Sequence, residues 1–486
     1  MISIPTLVTF IIYLVGMLAI GIFFYRMTSN LSDYVLGGRN LGPCVTALSA
    51  GASDMSGWLL LGLPGAAYVS GFSSAWIAIG LAIGAYLNWQ FVAKRLRYYS
   101  EISKNSITIP DYFENRFRDH SKILRVISAF VILLFFTFYA SSGMVAGGKL
   151  FESSFGFEYE TALWVGAIVI ISYTFLGGFL AVSWTDFIQG ILMLLALIVV
   201  PIAAISEVGG WSEAVNIVGN QNADGLDIFA GTTLIGILSS LAWGLGYFGQ
   251  PHIITRFMAI KNANDIPKAR LIGVTWMVLG LFGAVFTGFA GIAYFANQPL
   301  ADPETVLMNF TQVLFNPWVA GVLLAAILAA IMSTIDSQLL VSSSAVAEDF
   351  YKAIFRKNAS DRELVWIGRV SVIVIAVIAL ILAMNPDSSV LDLVSYAWAG
   401  FGAAFGPVII ISLFWRRMNR NGALAGIITG AITVVVWEKL KGGLFDLYEI
   451  VPGFIVCTLA IFLVSLLTSP PDQEVQNEFQ EVEKAL

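Results

Sequence analysis

Apolar residues along this chain gather into long runs separated by short polar segments. A helix needs about 20 mostly apolar residues to cross a bilayer. Thirteen runs meet that requirement: 4–25, 42–69, 72–93, 123–149, 161–180, 184–206, 231–251, 271–297, 317–346, 366–385, 390–415, 422–440 and 450–468. Each predicts a transmembrane helix, and the whole predicts an all-α polytopic membrane protein. The first run, 2–25, is too long for a secretory h-region and no basic residue precedes it, so it reads as a retained span.

Composition agrees: 58% of the 486 residues are hydrophobic and 12% charged, about half the charge of a soluble protein. The net charge of −6 says less than where the charges sit. Thirteen crossings put the termini on opposite sides. With the N-terminus outside, 23 of the 26 basic residues fall on the inner side and only Lys149, Lys439 and Lys441 outside, the asymmetry expected of short cytoplasmic loops. The segment 207–230, with four carboxylates and no Lys or Arg, is then outer. The expected location is the plasma membrane, C-terminus inside, the ending PPDQEVQNEFQEVEKAL being a solvated acidic tail.

Residues 243–251, WGLGYFGQP, contain G-x-G-x-x-G. That spacing marks a dinucleotide turn only between a strand and a helix of a βαβ unit; here it lies within an apolar run. GMVAGGK at 143–149 begins like a phosphate loop, but Leu150 replaces the required Ser or Thr. Both read as transmembrane helix. The second run (LSAGASDMSGWLLLGLPGAAY, 48–68) and the seventh (LSSLAWGLGYFGQP, 238–251) are crowded with Gly, Ser and Pro. Unwound backbone at membrane depth survives where it lines a buried or watery cavity. Two interrupted helices at corresponding places in two halves point to the binding site of an inverted-repeat transporter. Their offset of five reverses membrane orientation between the halves.

Asp54 lies mid-span, where an ionisable group is functional by default; the alternative is a cap on the second half of a broken helix. Ser333, Thr334, Asp336 and Ser337 in AAIMSTIDSQLL offer hard oxygens for a small cation, although membrane Ser and Thr often bond their own backbone. Cys44 and Cys457 are far apart, and His120 and His252 are the only histidines, so neither a disulfide framework nor a metal cluster is expected.

The stretches LSAGASDMSGWLLLGLPGAAY, FFTFYASSGMVAGGKLFES, YTFLGGFLAVSWTDFIQG, LGYFGQPHIITRF and AAIMSTIDSQLL resemble the sodium:solute symporter family, and within it the members that carry proline. The likeness runs over about residues 1–468. It implies a five-plus-five inverted-repeat core with two broken helices. Residues 1–41 are then a leading helix and inner loop, 42–206 and 231–415 the two repeats around the outer loop 207–230, 416–468 two trailing helices, and 469–486 the tail. It further implies that sodium is held by the carbonyls of Ala52, Met55 and Ala330 and the hydroxyls of Ser333 and Thr334, with Asp54 the carboxylate on which sodium depends. Ser56, Gly57, Tyr139, Trp243, Tyr247 and Pro251 match the substrate positions, and Arg39 a functional cytoplasmic arginine. The family fold brings Asp336 near Asp186, so Asp186, Asp336 and Ser337 are candidates for a second ion, a shared proton or a structural cap.

Independently, aromatic faces suit an apolar pyrrolidine ring, and Trp243 offers cation–π attraction to its ammonium. The expected function is Na⁺-coupled symport of L-proline into the cell by alternating access; the alternatives are Na⁺ symport of another small osmolyte or carboxylate, or a transporter-like nutrient sensor. Sodium is the coupling ion. No cofactor, nucleic acid or obligate protein partner is expected beside proline, sodium and the lipid bilayer. A channel would need a continuous polar pore, and an enzyme a nucleophile with its base; neither pattern is present.

Overall fold

Helix occupies each of the thirteen apolar runs in the computed structural model, which describes residues 3–25, 30–174, 178–221 and 223–486. Residues 175–177 of the fifth run and of its family-like stretch lie outside the described residues. Among those described there is no β-strand, and one isolated bridge joins Leu41 to Ile260. Among the described residues, ten helices are long and apolar enough to cross a membrane by length and composition alone. The second, fifth and seventh runs are the ones that do not qualify singly. Two of these are broken, and in the fifth the described helix, Tyr159–Thr174, runs up to residues outside the described ones.

The arrangement follows from which helices are apolar on every side. The most apolar segments of Pro317–Phe355 and Val390–Phe414 are 83% and 89% buried, against 22% for Ile4–Phe24 and 28% for Ile450–Leu467. The first pair therefore forms the centre and the second pair the lipid-facing edge. Side-chain caps fix where central helices start. Asn316 accepts from the amides of Trp318 and Val319 ahead of Pro317, and Ser389 accepts from that of Asp392, each satisfying donors that a helix start leaves unpaired.

Both predicted interruptions are present. Helix Pro43–Asp54 stops at Met55, whose ψ of 69° leaves helical geometry, and winding resumes at Trp58. In the seventh run, helix Leu234–Ala242 tightens into a 3₁₀ segment Trp243–Gly249, extends at Gln250 and restarts with Pro251–Ala259. Gln250 supplies extended backbone, as a residue before proline should. Two of the motif glycines also serve close approach. Gly244 packs on the backbone of Gly80 and Gly84, and a Cβ on Gly246 would collide with the Trp398 indole. GMVAGGK lies inside helix Ile123–Phe155.

The tail departs from the expected solvated segment. Gln473–Ala485 is a helix with Val475, Phe479 and Val482 buried. Those three share one helical face by their spacing, and the surrounding glutamates hid this stripe within an acidic composition.

Candidate ion and solute site

The break in the second run meets the middle of the ninth. Ser333 Oγ donates to the Ala52 carbonyl at 2.7 Å and to the Ala330 carbonyl at 3.1 Å. Thr334 Oγ1 reaches the same Ala52 carbonyl at 3.3 Å. Two carbonyls and two hydroxyls, all buried, thus converge where the helix loses its hydrogen bonds. Each hydroxyl keeps lone pairs to turn on a cation, and this all-oxygen set suits a small hard ion. Met55, next to Asp54, is buried at the same break.

The Asp54 carboxylate is turned toward the seventh run. Its Oδ2 accepts from the Tyr247 hydroxyl at 2.5 Å, and its backbone carbonyl accepts from Tyr139 Oη at 3.2 Å and Trp58 Nε1 at 3.1 Å. Asp54 Oδ1, buried without a hydrogen-bond partner, borders a cavity of about 20 Å³ that Asn88, Tyr247 and Met277 also line. One carboxylate therefore joins the two discontinuous helices. Ser56 Oγ accepts from the Trp58 amide at 3.3 Å. Gly57 is held close to the fourth and ninth runs: a Cβ there would lie 2.8 Å from Ala146 Cβ and 3.3 Å from Ile331 Cγ1.

Beyond the break the walls are aromatic. Trp243 stacks on Tyr448 at 5.6 Å and Trp398 at 6.4 Å, and lies 6.0 Å from Trp58. Trp398 sets its edge against Tyr247 at 5.1 Å and donates from Nε1 to the Trp243 carbonyl at 2.8 Å. Pro251, at the first turn of its helix, is buried beside His252, whose ring meets Tyr139 edge-on at 6.0 Å. Sequence reasoning missed Trp58, Trp398 and Tyr448. Trp398 comes from the eleventh run and Tyr448 from the connection ahead of the thirteenth, and no spacing along the chain ties either to the breaks.

It also missed Arg256. This arginine is fully buried. Its Nη2 lies 3.1 Å from Asp186 Oδ2 and 2.6 Å from Ser337 Oγ, and its Nε donates to Ser49 Oγ, which itself donates to Asp186. Asp186 and Ser337 are thus brought together around a guanidinium. Asp336 is fully buried one residue before Ser337. The available signal was a cation in IITRFM, inside the second half of a broken helix, which a loop census counts as one more basic residue.

Arg39 lies apart from these residues, on the face that gathers the basic loops. In a left-handed backbone conformation, it donates to the Met258 carbonyl at 2.5 Å, the Ser106 carbonyl at 2.8 Å and Ser100 Oγ at 3.2 Å. Burial and the neighbouring Arg97 push its pKa down to about 10, so it stays charged at neutral pH. Arg97 adds a bond to the Ile260 carbonyl at 2.8 Å. These bonds fasten the ends of the second, third and seventh runs to one another.

Two helices broken at mid-length and set on unbroken ones around buried oxygens define a secondary transporter of the inverted-repeat class. One solved structure of similar shape is a Na⁺-coupled sialic acid symporter in a substrate-bound outward-open state, with TM-score 0.81 at 20% identity over 97% of this chain and 99% of that one. In sequence, a sodium/proline symporter of Salmonella typhimurium is 58% identical, covering 98% of this chain and 96% of that protein. A high-affinity proline transporter of Bacillus subtilis is 56% identical over 97% and 100%. The model of the sodium:solute symporter family matches residues 34–430. The chain belongs to that family, a multi-pass membrane family of transporters rather than enzymes.

Proposed function

We propose that this protein carries L-proline into the cell together with Na⁺, by alternating access across the bacterial cytoplasmic membrane. The observation that carries the sodium half is the convergence of Ser333 and Thr334 on the Ala52 carbonyl. The relatives, sodium/proline symporters at more than half identity over nearly full length, support the solute. In this reading the chain crosses thirteen times, N-terminus outside, with repeats at 42–206 and 231–415 and the basic face inward. Sodium sits among the Ala52, Met55 and Ala330 carbonyls and the two hydroxyls. Proline lies between the breaks, against Ser56, Gly57, Tyr139, Trp243, Tyr247 and Pro251, and Arg39 holds the inner side shut. Asp54 links ion to solute: its charge favours the cation, and its bond to Tyr247 presents the aromatic wall. Equilibrium binding of radiolabelled L-proline to the purified protein tests this. Binding should need Na⁺, and Na⁺-independent binding contradicts the scheme.

Truncating Trp243 to Ala should raise the half-saturating proline concentration about 10- to 100-fold through lost stacking and cation–π contact. Sodium dependence should move far less. Uptake kinetics at varied proline check this, and unchanged proline affinity would move the solute elsewhere.

We further propose one sodium per proline. The Arg256 guanidinium already stands as the cation between Asp186 and Ser337, which favours a structural role for this corner over a second ion. Uptake should therefore rise hyperbolically with sodium in the unmodified protein and in Asp336→Asn alike. A sigmoidal curve that Asp336→Asn flattens would place a second ion there.

A further inference from the structure

The tail helix Gln473–Ala485 lies on the basic face, and its contacts join elements that the transport cycle must separate. Its apolar stripe packs through Phe479 against Tyr99, ring to ring at 6.3 Å, near the end of helix Ala93–Ile102. Arg116, fully buried, lies 4.7 Å above the Tyr99 ring and 5.8 Å from that of Phe479, while donating to the Ser412 carbonyl of the eleventh run. The polar flank is held by charge. Arg118, its side chain largely covered, pairs closely with Glu478 and at 3.4 Å with Glu474. Lys94 Nζ donates to the Leu486 carbonyl at 3.2 Å. The root of the tail is fixed separately: Asn419 donates to Thr468 Oγ1 and the Ser469 carbonyl, and Arg417 to the Thr468 carbonyl.

The end of Ala93–Ile102 is already tied to the second and seventh runs through Arg39 and Arg97. The tail helix ties the same end to the Arg118 loop and, by its root, to the turn between the eleventh and twelfth runs. For a solute to leave through this face, the breaks must part from the ninth and eleventh runs around them, and a strap across both groups resists that motion. A contact present in only one of two conformations shifts the population toward that conformation.

We propose that the C-terminal helix is a strap that stabilises the state closed on the basic face and restrains its opening. The strap rests on the alternating-access reading above but not on the identity of ion or solute, so it is tested without either. Ser344 lines a water-sized cavity with Thr255 of helix Pro251–Ala259 and is buried in this structure. The probe is maleimide labelling of Ser344→Cys in a Cys44→Ser background, with the full chain in lipid nanodiscs that expose both faces. Phe479→Ala and, separately, Glu474→Gln with Glu478→Gln should each speed labelling about tenfold. Exchanging the charges, Arg118→Glu with Glu478→Arg, should restore slow labelling relative to Arg118→Glu alone. Labelling at the unmodified rate in both release variants overturns the proposal. So does a lower yield of folded protein whose folded fraction labels at the unmodified rate, which would make the helix a structural anchor only.

Discussion

Replacing Asp54 by Asn is expected to abolish sodium-driven proline uptake at ordinary sodium concentrations. The substitution keeps size and removes charge. At about 6 Å and an effective dielectric of about 20, a carboxylate contributes about 2.8 kcal/mol to holding a monovalent cation, roughly 100-fold in affinity. A second loss follows from its partner: Tyr247 donates to a carboxylate in the unmodified protein, and a charge-assisted bond becomes a neutral one. Because Asp54 joins the two breaks, sodium and proline affinities should both weaken, sodium the more. The check is the sodium concentration for half-maximal proline binding to purified protein. A value within threefold of the unmodified one removes Asp54 from the ion site.

The second large effect is expected from Ser333→Ala together with Thr334→Ala. Both hydroxyls converge on the Ala52 carbonyl, and deleting them leaves carbonyls as the only ligands named for this site. A hydrogen-bonding contact to a charged group is worth about 1.5–3 kcal/mol, so each single substitution should raise half-saturating sodium at least about tenfold. As neighbours sharing one partner, the pair need not add. Proline affinity measured at saturating sodium should hold within about threefold. The opposite split, proline affinity lost and sodium affinity kept, contradicts the assignment.

The elements that lipid dictates were plain in the sequence. Runs of apolar residues long enough to span could be nothing but helices, because a bilayer satisfies no backbone group. The interruptions showed in glycines, Pro251 and a mid-span aspartate, each chemically out of place in a plain helix. The hydroxyls of Ser333 and Thr334 stood out for the same reason, whereas the Ala52 carbonyl entered only through the family resemblance. Arg256 was not, because one arginine near the end of a run reads like any positive-inside residue until the fold places Asp186 beside it. The aromatic wall from Trp398 and Tyr448 was hidden because long-range packing, not spacing, brings it to Trp243. The tail helix carried its signal at 475, 479 and 482, but an acidic composition argued for solvent until Tyr99 and Arg118 supplied a surface.

The most direct test of the central claim is uptake of radiolabelled L-proline by proteoliposomes holding only this protein, under an imposed inward gradient of Na⁺, H⁺ or K⁺ with the membrane potential set independently. The account predicts accumulation with Na⁺ alone. At 100 mV, interior negative, and with equal sodium on both sides, one inward charge is worth about 2.3 kcal/mol and supports accumulation of roughly 50-fold. Equal accumulation under a proton gradient without sodium, or equilibration of proline to the outside concentration whatever the gradient, would contradict it.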